Sequence, residues 1–452
     1  MKSVALHNLG CKVNGYEMDV MQQMLQENGY KIVPFDEQAD IYIVNTCTVT
    51  NIADRKSRQM LHRAKKKNPD AVVVAVGCYV QTGEETIEKD EAIDLAIGNN
   101  RKKDIVSILN RYLAEREGQT ADVTEPYKQK DIIDINHTDE YEEMILNETA
   151  EHTRAYVKIQ DGCNQFCSYC IIPYARGRVR SRREEDILTE VEGIVKLGYK
   201  EIVLTGIHIS SYGVDRGEPQ LLSLIEKLNQ IEGLKRIRIG SLEPRIITEE
   251  FAERISRLTK ICPHFHLSLQ SGCDETLRRM NRHYTTGEYL EKVELLRKYF
   301  DNPAITTDVI VGFPGETEEE FATTAKFLEQ VHFFEMHIFK YSKRQGTRAA
   351  VMEGQVPDPI KSERSNILMK LEEKMSKEYR QSLIGKEVEV LFEEAKEMDG
   401  RIYQIGHTRQ YVKVVKETTE DLSNHIVCGE ISGFLKENMM KLEHKGGIGM
   451  ND

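Results

Sequence analysis

Tryptophan is absent from this chain of 452 residues, so any stacking on a planar ligand must come from Tyr, Phe, His or Arg. Long apolar runs are missing too. The longest, residues 71–80, is about half of what a membrane span requires and suits a buried strand. No membrane partner is expected. The opening residues lack a charged segment followed by a long apolar one, so no secretory signal is expected. Positive charge is in deficit. The net charge of −12 and the pI near 5.7 speak, taken globally, against a nucleic-acid partner. Cysteine is present in an odd number, nine. That argues against a disulfide framework and for metal or redox use in a reducing cytoplasm.

What remains is the composition of a soluble globular protein, 40% hydrophobic and 30% charged, long enough for two to four domains. Binding of nucleic acid responds to local potential rather than net charge, and two local runs are strongly basic. The first holds Arg55, Lys56, Arg58, Arg63, Lys65, Lys66 and Lys67, opposed only by Asp54. The second holds Arg176, Arg178, Arg180, Arg182 and Arg183. Either is a candidate phosphate surface or, more plainly, a solvated face or a set of ion pairs.

Just before the second run stands Asp161-Gly-Cys-Asn-Gln-Phe-Cys-Ser-Tyr-Cys, a CxxxCxxC spacing. One short loop thus offers three thiolates, Cys163, Cys167 and Cys170. Structural zinc closes its tetrahedron with four protein ligands, so a zinc knuckle would have to borrow one from elsewhere. A four-iron cluster on three cysteines keeps one iron open to a ligand. This spacing, with aromatic Tyr169 before the third cysteine, resembles the signature of radical S-adenosylmethionine (SAM) enzymes.

Periodicity predicts an open doubly wound α/β domain at the amino terminus. Strands are expected at 4–9, 39–45 and 71–77, and helices at 17–28 and 53–67. A cysteine follows each strand: Cys11, Cys47 and Cys78. Ligand sites of open α/β sheets lie at the carboxyl ends of strands. Three cysteines distant in sequence are therefore expected to meet there as a second three-thiolate site, the plainer alternative being three buried structural cysteines. Gly10 and Gly77 would permit the sharp turns.

The expected division is 1–114 for this domain, 115–150 for a connector with a strand at 131–135, 151–380 for a central domain, 381–445 for a small antiparallel β-barrel and 446–452 for a tail. Central strands are predicted at 155–160, 201–205, 236–240, 264–269, 305–311 and 335–339. Helices are predicted at 184–197, 221–230, 249–258, 289–299 and 318–329. Six βα units make a partial (β/α)6 barrel, with the CxxxCxxC loop at the carboxyl end of its first strand. A charged helix at 362–381 leads to the short strands of the last domain. His264 and His266 read as core or rim residues, and Cys262, Cys273 and Cys428 as packing.

The combination of one cysteine per strand in the first domain, the radical SAM half-barrel and the terminal barrel resembles the methylthiotransferase family over nearly the whole chain. The last barrel is similar to the family's TRAM domain, an RNA-binding module. Around the first cysteine, Leu9-Gly-Cys-Lys-Val-Asn14 and the run Ser168 to Arg182 look like the branch acting on N6-threonylcarbamoyladenosine in tRNA. The branches acting on isopentenyladenosine and on a ribosomal protein differ at Lys12-Val13. A non-catalytic iron–sulfur RNA-binding protein is the alternative of another class.

The resemblance implies two [4Fe–4S] clusters. Cys163, Cys167 and Cys170 would hold the one that binds and cleaves SAM, and Cys11, Cys47 and Cys78 an auxiliary one that delivers sulfur. A methylthio group would then be placed on C2 of adenosine 37, beside the anticodon. An aromatic C–H offers no acidic proton, so a radical route is physically sensible and no Ser/His/Asp arrangement is assigned. SAM contacts are expected from Tyr169, from Gly206 in Thr205-Gly-Ile207 (where related enzymes carry an acidic residue), and from Ser268 and Gln270. The segment Asp308 to Glu316 would add Gly312 and Gly315. The tRNA anticodon stem-loop would meet Arg55, Lys56, Arg58, Arg176, Arg178, Arg180 and Arg282. An electron donor such as flavodoxin or ferredoxin, and a sulfur source, are implied partners.

Overall fold

The computed structural model describes residues 1–118, 128–146 and 153–443. The expected tail, 446–452, lies outside them. No helix among the described residues is long and apolar enough to cross a membrane.

The first layer is a parallel sheet of six strands, β1 (Ser3–Asn8), β2 (Lys31–Val33), β3 (Ile41–Thr46), β4 (Val72–Gly77), β5 (Leu95–Ile97) and β6 (Gln129–Asp131). Their order is β2-β1-β3-β4-β5-β6. Every residue of β3 and β4 is buried, as their continuous apolar runs require of central parallel strands covered on both faces. Strand order reverses between β1 and β3, the switch point where such sheets open a crevice. Helices α1 (Lys12–Glu27), α2 (Asn51–Lys67) and α3 (Cys78–Thr82) leave the ends of β1, β3 and β4. Helix α1 begins five residues before its expected start, at Cys11 as the cap. Strands β2 and β5 went unpredicted because three residues are too few to show a period; the strand expected at 131–135 in the connector forms two residues earlier, as β6, and joins this sheet.

The central layer holds β7 (Arg154–Asp161), β8 (Arg180–Ser181), β9 (Glu201–Gly206), β10 (Arg236–Ile239), β11 (His264–His266), β12 (Ala304–Val311) and β13 (Glu335–Lys340). Two sheets, β10-β9-β7-β8 and β11-β12-β13, are joined by parallel bridges Ile237↔Ile261 and Leu242↔Leu267. The six parallel strands therefore run β7-β9-β10-β11-β12-β13, the partial barrel expected. Ala155, Val157, Ile202, Leu204, Ile237, Phe265, Ile305 and Met336 pack outward under the helices in one core. Alternation then turns Lys158, Arg238, His264, His266, Asp308 and His337 toward the lumen.

The chain ends in a closed barrel of β14 (Glu387–Met398), β15 (Arg401–Thr408), β16 (Lys413–Glu417), β17 (Ile426–Lys436) and β18 (Met439–Glu443), ordered β14-β15-β16-β18-β17. The expected all-antiparallel pattern holds except between β16 and β18, which are parallel. Five strands in a ring cannot alternate direction throughout, so one parallel pair is unavoidable. This barrel docks beneath the central one. Arg236 Nε donates to Glu389 Oε1 (2.9 Å), Arg238 Nη1 to the Arg409 carbonyl (3.0 Å), and Arg154 pairs with Glu393 (3.2 Å). These arginines lie on β7 and β10, at the amino-terminal mouth of the lumen. Tyr411 sits under the guanidinium carbons of Arg154 and Arg238, 4.9 and 4.7 Å from its ring centre.

Candidate active site

Cys11, Cys47 and Cys78 stand at the carboxyl ends of β1, β3 and β4, on either side of the switch point. Two glycines set the approach. Gly10 has φ +110°, and a Cβ there would lie 3.2 Å from Cys47 Sγ. Gly77 has φ +98°, and a Cβ there would lie 2.6 Å from Asn45 Oδ1. None of the three cysteines is in a disulfide, and the three lie within electrostatic reach of one another. Burial pushes the Cys47 thiol up to about 11 and raises Cys11 as well. Such thiols become ligands only when a metal ion displaces the proton.

The second triad lies at the end of β7. Gly162 (φ +71°) admits no side chain, since a Cβ would fall 1.7 Å from the Arg178 carbonyl. The turn folds the loop back on residues 176–180, where the Cys163 amide donates to the Gly177 carbonyl at 3.0 Å. Asn281 Nδ2 donates to the Phe166 carbonyl (3.1 Å), and Ser168 Oγ to the Arg279 carbonyl (2.8 Å), so the loop is held by the end of the short helix Asp274–Arg279 and the turn after it. Burial pushes Cys163 to about 11 and Cys170 to about 12. Tyr169 packs edge-on against Phe313, 6.4 Å between centres, and walls the loop from water.

A buried ionic network ties the two triads together. Arg176, 1% exposed, donates through Nε to Cys78 Sγ (3.3 Å) and through Nη2 to Asn14 Oδ1 (2.7 Å). Its two Nη atoms grip Glu17 at 2.7 and 3.0 Å, and Nη1 also reaches Asp161 at 3.0 Å. Lys158 bridges Glu17 and Asp161, each at 2.7 Å, and Lys102 adds a third cation on Glu17 at 2.7 Å. Burial alone would raise both carboxyl groups; Arg176 with Lys102 and Lys158 holds Glu17 well below the usual range, and Arg176 with Lys158 does so for Asp161. Three cations thus face two carboxylates, and the surplus positive charge lies against the Cys78 sulfur.

The structure reassigns several residues that the sequence offered for tRNA. Arg176 belongs to this network. Arg180 is buried, its Nη1 on the Arg178 carbonyl at 3.2 Å. Arg282 is half-buried, with Nη1 3.3 Å from Cys167 Sγ and Nη2 3.2 Å from the Ser268 carbonyl. Arg176 and Arg180 are withdrawn from the solvent through which a phosphate would arrive, and Arg282 is engaged with Cys167 and Ser268. A run of arginines on one segment gives no sign of which will be buried; Arg176 is buried because α1 brings Asn14 and Glu17 against it. Arg178 stays exposed, its guanidinium 4.5 Å from the Phe166 ring centre. On α2, Arg55 and Lys56 are exposed and have no side-chain partner among the described residues, while Arg58 leans on Tyr79 (3.4 Å). Arg63 and Lys65 pair with Asp36 and Asp94 at 2.5 and 2.9 Å. An open groove of about 830 Å³ beside this helix mixes Arg58, Lys66 and Lys89 with Glu85, Asp90 and Glu91; none of the six cysteines lines it.

The residues expected to contact SAM are less uniform. Gln270 is a non-glycine residue at φ +74°, with its amide on the Asp308 carbonyl (2.9 Å). The Ser268 carbonyl accepts from Tyr284 at 2.6 Å. Gly312 is enclosed by protein, Gly206 is half-buried and Gly315 is exposed. A Cβ on Gly206 would meet Ile209 at 2.8 Å and one on Gly312 would meet Lys361 at 2.3 Å, whereas one on Gly315 would make only ordinary contact with Arg279 at 3.4 Å. The small size of Gly206 and Gly312 serves packing between elements. One residue escaped the sequence reading. His208, just past Gly206, has Nδ1 2.7 Å from Ser211 Oγ and a buried Nε2 without a partner. Burial, helped by Arg282 and Arg245, pushes it down to about 4, so it is a neutral imidazole. It stands one residue past Ile207, where the sequence lacked the expected acidic residue.

The donor sets fit iron–sulfur clusters. Each triad offers three free thiols and, among the described residues, no fourth protein ligand. N–H groups point at the sulfurs: Arg176 and Asn99 (3.5 Å) at Cys78, Arg282 at Cys167, and the Gln165 amide at Cys163 (3.4 Å).

A three-cysteine loop crowning the first strand of a parallel partial barrel defines a radical SAM protein, and the model of the radical SAM superfamily matches residues 157–328. A model described as uncharacterized protein family UPF0004 matches residues 3–98. The threonylcarbamoyladenosine tRNA methylthiotransferase MtaB of Bacillus subtilis (strain 168) is 42% identical over 94% of this chain and 93% of its own length. That of Aquifex aeolicus is 40% identical over 86% and 92%. A tRNA-2-methylthio-N(6)-dimethylallyladenosine synthase of Moorella thermoacetica is 36% identical over 94% and 95%. Among solved structures, the radical SAM methyltransferase TsrM of Kitasatospora setae, with cobalamin and a [4Fe–4S] cluster bound, superposes with a TM-score of 0.55 at 14% identity, over 77% of this chain and 74% of that one; the likeness shows the fold. The chain belongs to the methylthiotransferase family of radical SAM enzymes, which use [4Fe–4S] clusters and SAM.

Proposed function

We propose that the protein places a methylthio group on C2 of N6-threonylcarbamoyladenosine at position 37 of tRNA. The observation that carries this reading is the pair of three-thiol sites joined through Arg176, in a chain whose Bacillus and Aquifex relatives bear that activity in their names. Bound at the two triads, the clusters and SAM would supply the one-electron and radical chemistry that an unactivated aromatic C–H demands. Arg282 and the Gln165 amide steady the sulfurs of one triad, and Arg176 and Asn99 those of the other. Tyr169 and Phe313 exclude water. His208 Nε2 offers a polar contact for SAM. Cys11, Cys47 and Cys78 hold the auxiliary cluster, and Cys163, Cys167 and Cys170 the cluster that binds SAM.

Arg55, Lys56 and Arg178 supply phosphate contacts, and Phe166 and Tyr174, edge to face at 6.1 Å, a surface for a splayed loop base. The terminal barrel acts as a TRAM-like RNA-binding module. The protein works in the cytoplasm, with a flavodoxin or ferredoxin as electron donor and a separate sulfur source. Nucleoside mass spectrometry of tRNA from cells with and without the protein tests the reading. The methylthio form of threonylcarbamoyladenosine should vanish without it. Loss of methylthio-dimethylallyladenosine instead would favour the second reading, which the Moorella relative supports.

Despite the acidic pI, tRNA affinity should fall steeply with salt. Reversing Arg55 and Lys56 to glutamate should weaken binding roughly tenfold or more. It should also flatten the log–log salt slope by about one unit for each phosphate that is no longer neutralised. Filter binding between low and moderate salt measures both. An unchanged slope would remove α2 from the interface.

A further inference from the structure

We propose that Lys12, at the mouth of the barrel lumen, is the cation that receives the free carboxylate of the threonylcarbamoyl group, with the polar lumen behind it taking the rest of that group. The inference rests on the substrate reading proposed for this site and names the residues that would discriminate the base.

Lys12 is the first residue of α1, directly after Cys11, and it is exposed to solvent. Arg238 and Arg154 on the lumen strands, and His264 on β11, lie within its electrostatic reach, so it is surrounded by protein although water can touch it. Its helix packs on β7 and β9, so the side chain, though exposed, stands beside the recess these strands border. Every other cation around that recess has a carboxylate partner. Arg238 holds Glu201 at 2.8 Å, Arg236 holds Glu389 at 2.8 Å, Arg154 holds Glu393 at 3.2 Å, and Lys158 holds Glu17 and Asp161 at 2.7 Å each. Among the described residues Lys12 makes neither a hydrogen bond nor an ion pair. A cation left unmatched beside a recess favours an arriving anion.

The wall behind it is polar and unfinished. His264 Nδ1 is buried without a partner, and His266 Nε2 is buried without a hydrogen bond. Asp308 Oδ2 stands 3.4 Å from His266 Nε2, and the His337 ring stacks on that of His266 with centres 5.9 Å apart. The wall therefore offers imidazole nitrogens and one carboxylate, on strands β11, β12 and β13. A threonine joined to adenine through a carbonyl brings one carboxylate, one hydroxyl and a urea N–H. The carboxylate matches Lys12, and the hydroxyl and N–H match the imidazoles and Asp308. A dimethylallyl group brings only carbon and would leave each of these groups unpaired, which is how a polar site rejects an apolar analogue.

The test uses the full-length protein with both clusters reconstituted, and three synthetic anticodon stem-loops. One carries threonylcarbamoyladenosine, one its methyl ester, and one dimethylallyladenosine. The wild type should show a KM at least tenfold lower for the free acid than for the ester. Lys12→Met should bring the two within about twofold, and Lys12→Arg should keep most of the preference. Iron and sulfide content of each preparation shows that the clusters are loaded. Should Lys12→Met fail to load, the acid-to-ester ratio of the wild type still decides. Equal KM values for acid and ester in the wild type, or an undiminished preference in Lys12→Met, overturns the inference while leaving the substrate reading standing. Turnover of the dimethylallyl loop with none of the acid overturns the substrate reading itself, and the subsite with it.

Discussion

Exchange of Arg176 for methionine should destabilise the protein by about 3–5 kcal/mol, the usual cost of removing one partner from a buried ionic group. The loss should be read as a lower urea midpoint at unchanged slope. It should also strip the auxiliary site, taking iron from about eight atoms per chain to about four if only the loop cluster survives. The reason is geometric. Arg176 commits its Nε to Cys78 Sγ and both Nη atoms to Glu17, with Asp161 and Asn14 completing the set. Without it, Glu17 and Asp161 face each other with only Lys102 and Lys158 between them. Lysine at 176 should not rescue the site, since one ammonium cannot span the sulfur and both carboxylates with fixed planar geometry. A methionine variant with normal stability and full iron would show that the network is incidental to the cluster.

The second large effect separates the two triads. With Cys11, Cys47 and Cys78 all changed to alanine, the protein plus dithionite and SAM should still release 5′-deoxyadenosine but yield no methylthiolated tRNA. With Cys163, Cys167 and Cys170 changed, both products should disappear. The prediction follows from position: one triad belongs to the amino-terminal sheet, the other to the loop after β7, and each has its own N–H donors. Loss of SAM cleavage in the first variant would mean that the two sites do not divide the work. No 5′-deoxyadenosine from the wild type would leave the chain an iron–sulfur RNA-binding protein.

Much of this was legible in the sequence because its signals are local. Each auxiliary cysteine directly follows an apolar run, so the strand and its terminal ligand are read together. The six central strands and their amphipathic helices fall within a few residues of expectation. What escaped depends on tertiary packing. The arginine at 176 carries no local sign that α1 will bury it, nor the one at 180 that the fold will close over it. Gly206 and Gly312 look like ligand-binding glycines, yet the side chains of Ile209 and Lys361 fill the space beside them, while Gly315 stays exposed. The lumen wall of His264, His266, Asp308 and His337 is drawn from three strands, and alternate positions on separate strands form no motif.

The way the terminal barrel is seated bears on how this chain could be recombined with its relatives. Arg236 and Arg238 donate hydrogen bonds to carbonyls of residues 407–409, and Arg154 and Arg236 find their carboxylates on β14. A cut near residue 381 would therefore leave three arginines crowded at an open hole in the floor of the reaction chamber. A chimera that borrowed another terminal barrel would have to import Glu389, Glu393 and the 407–411 turn with it. The stopper and the rest of the barrel are inherited as one piece.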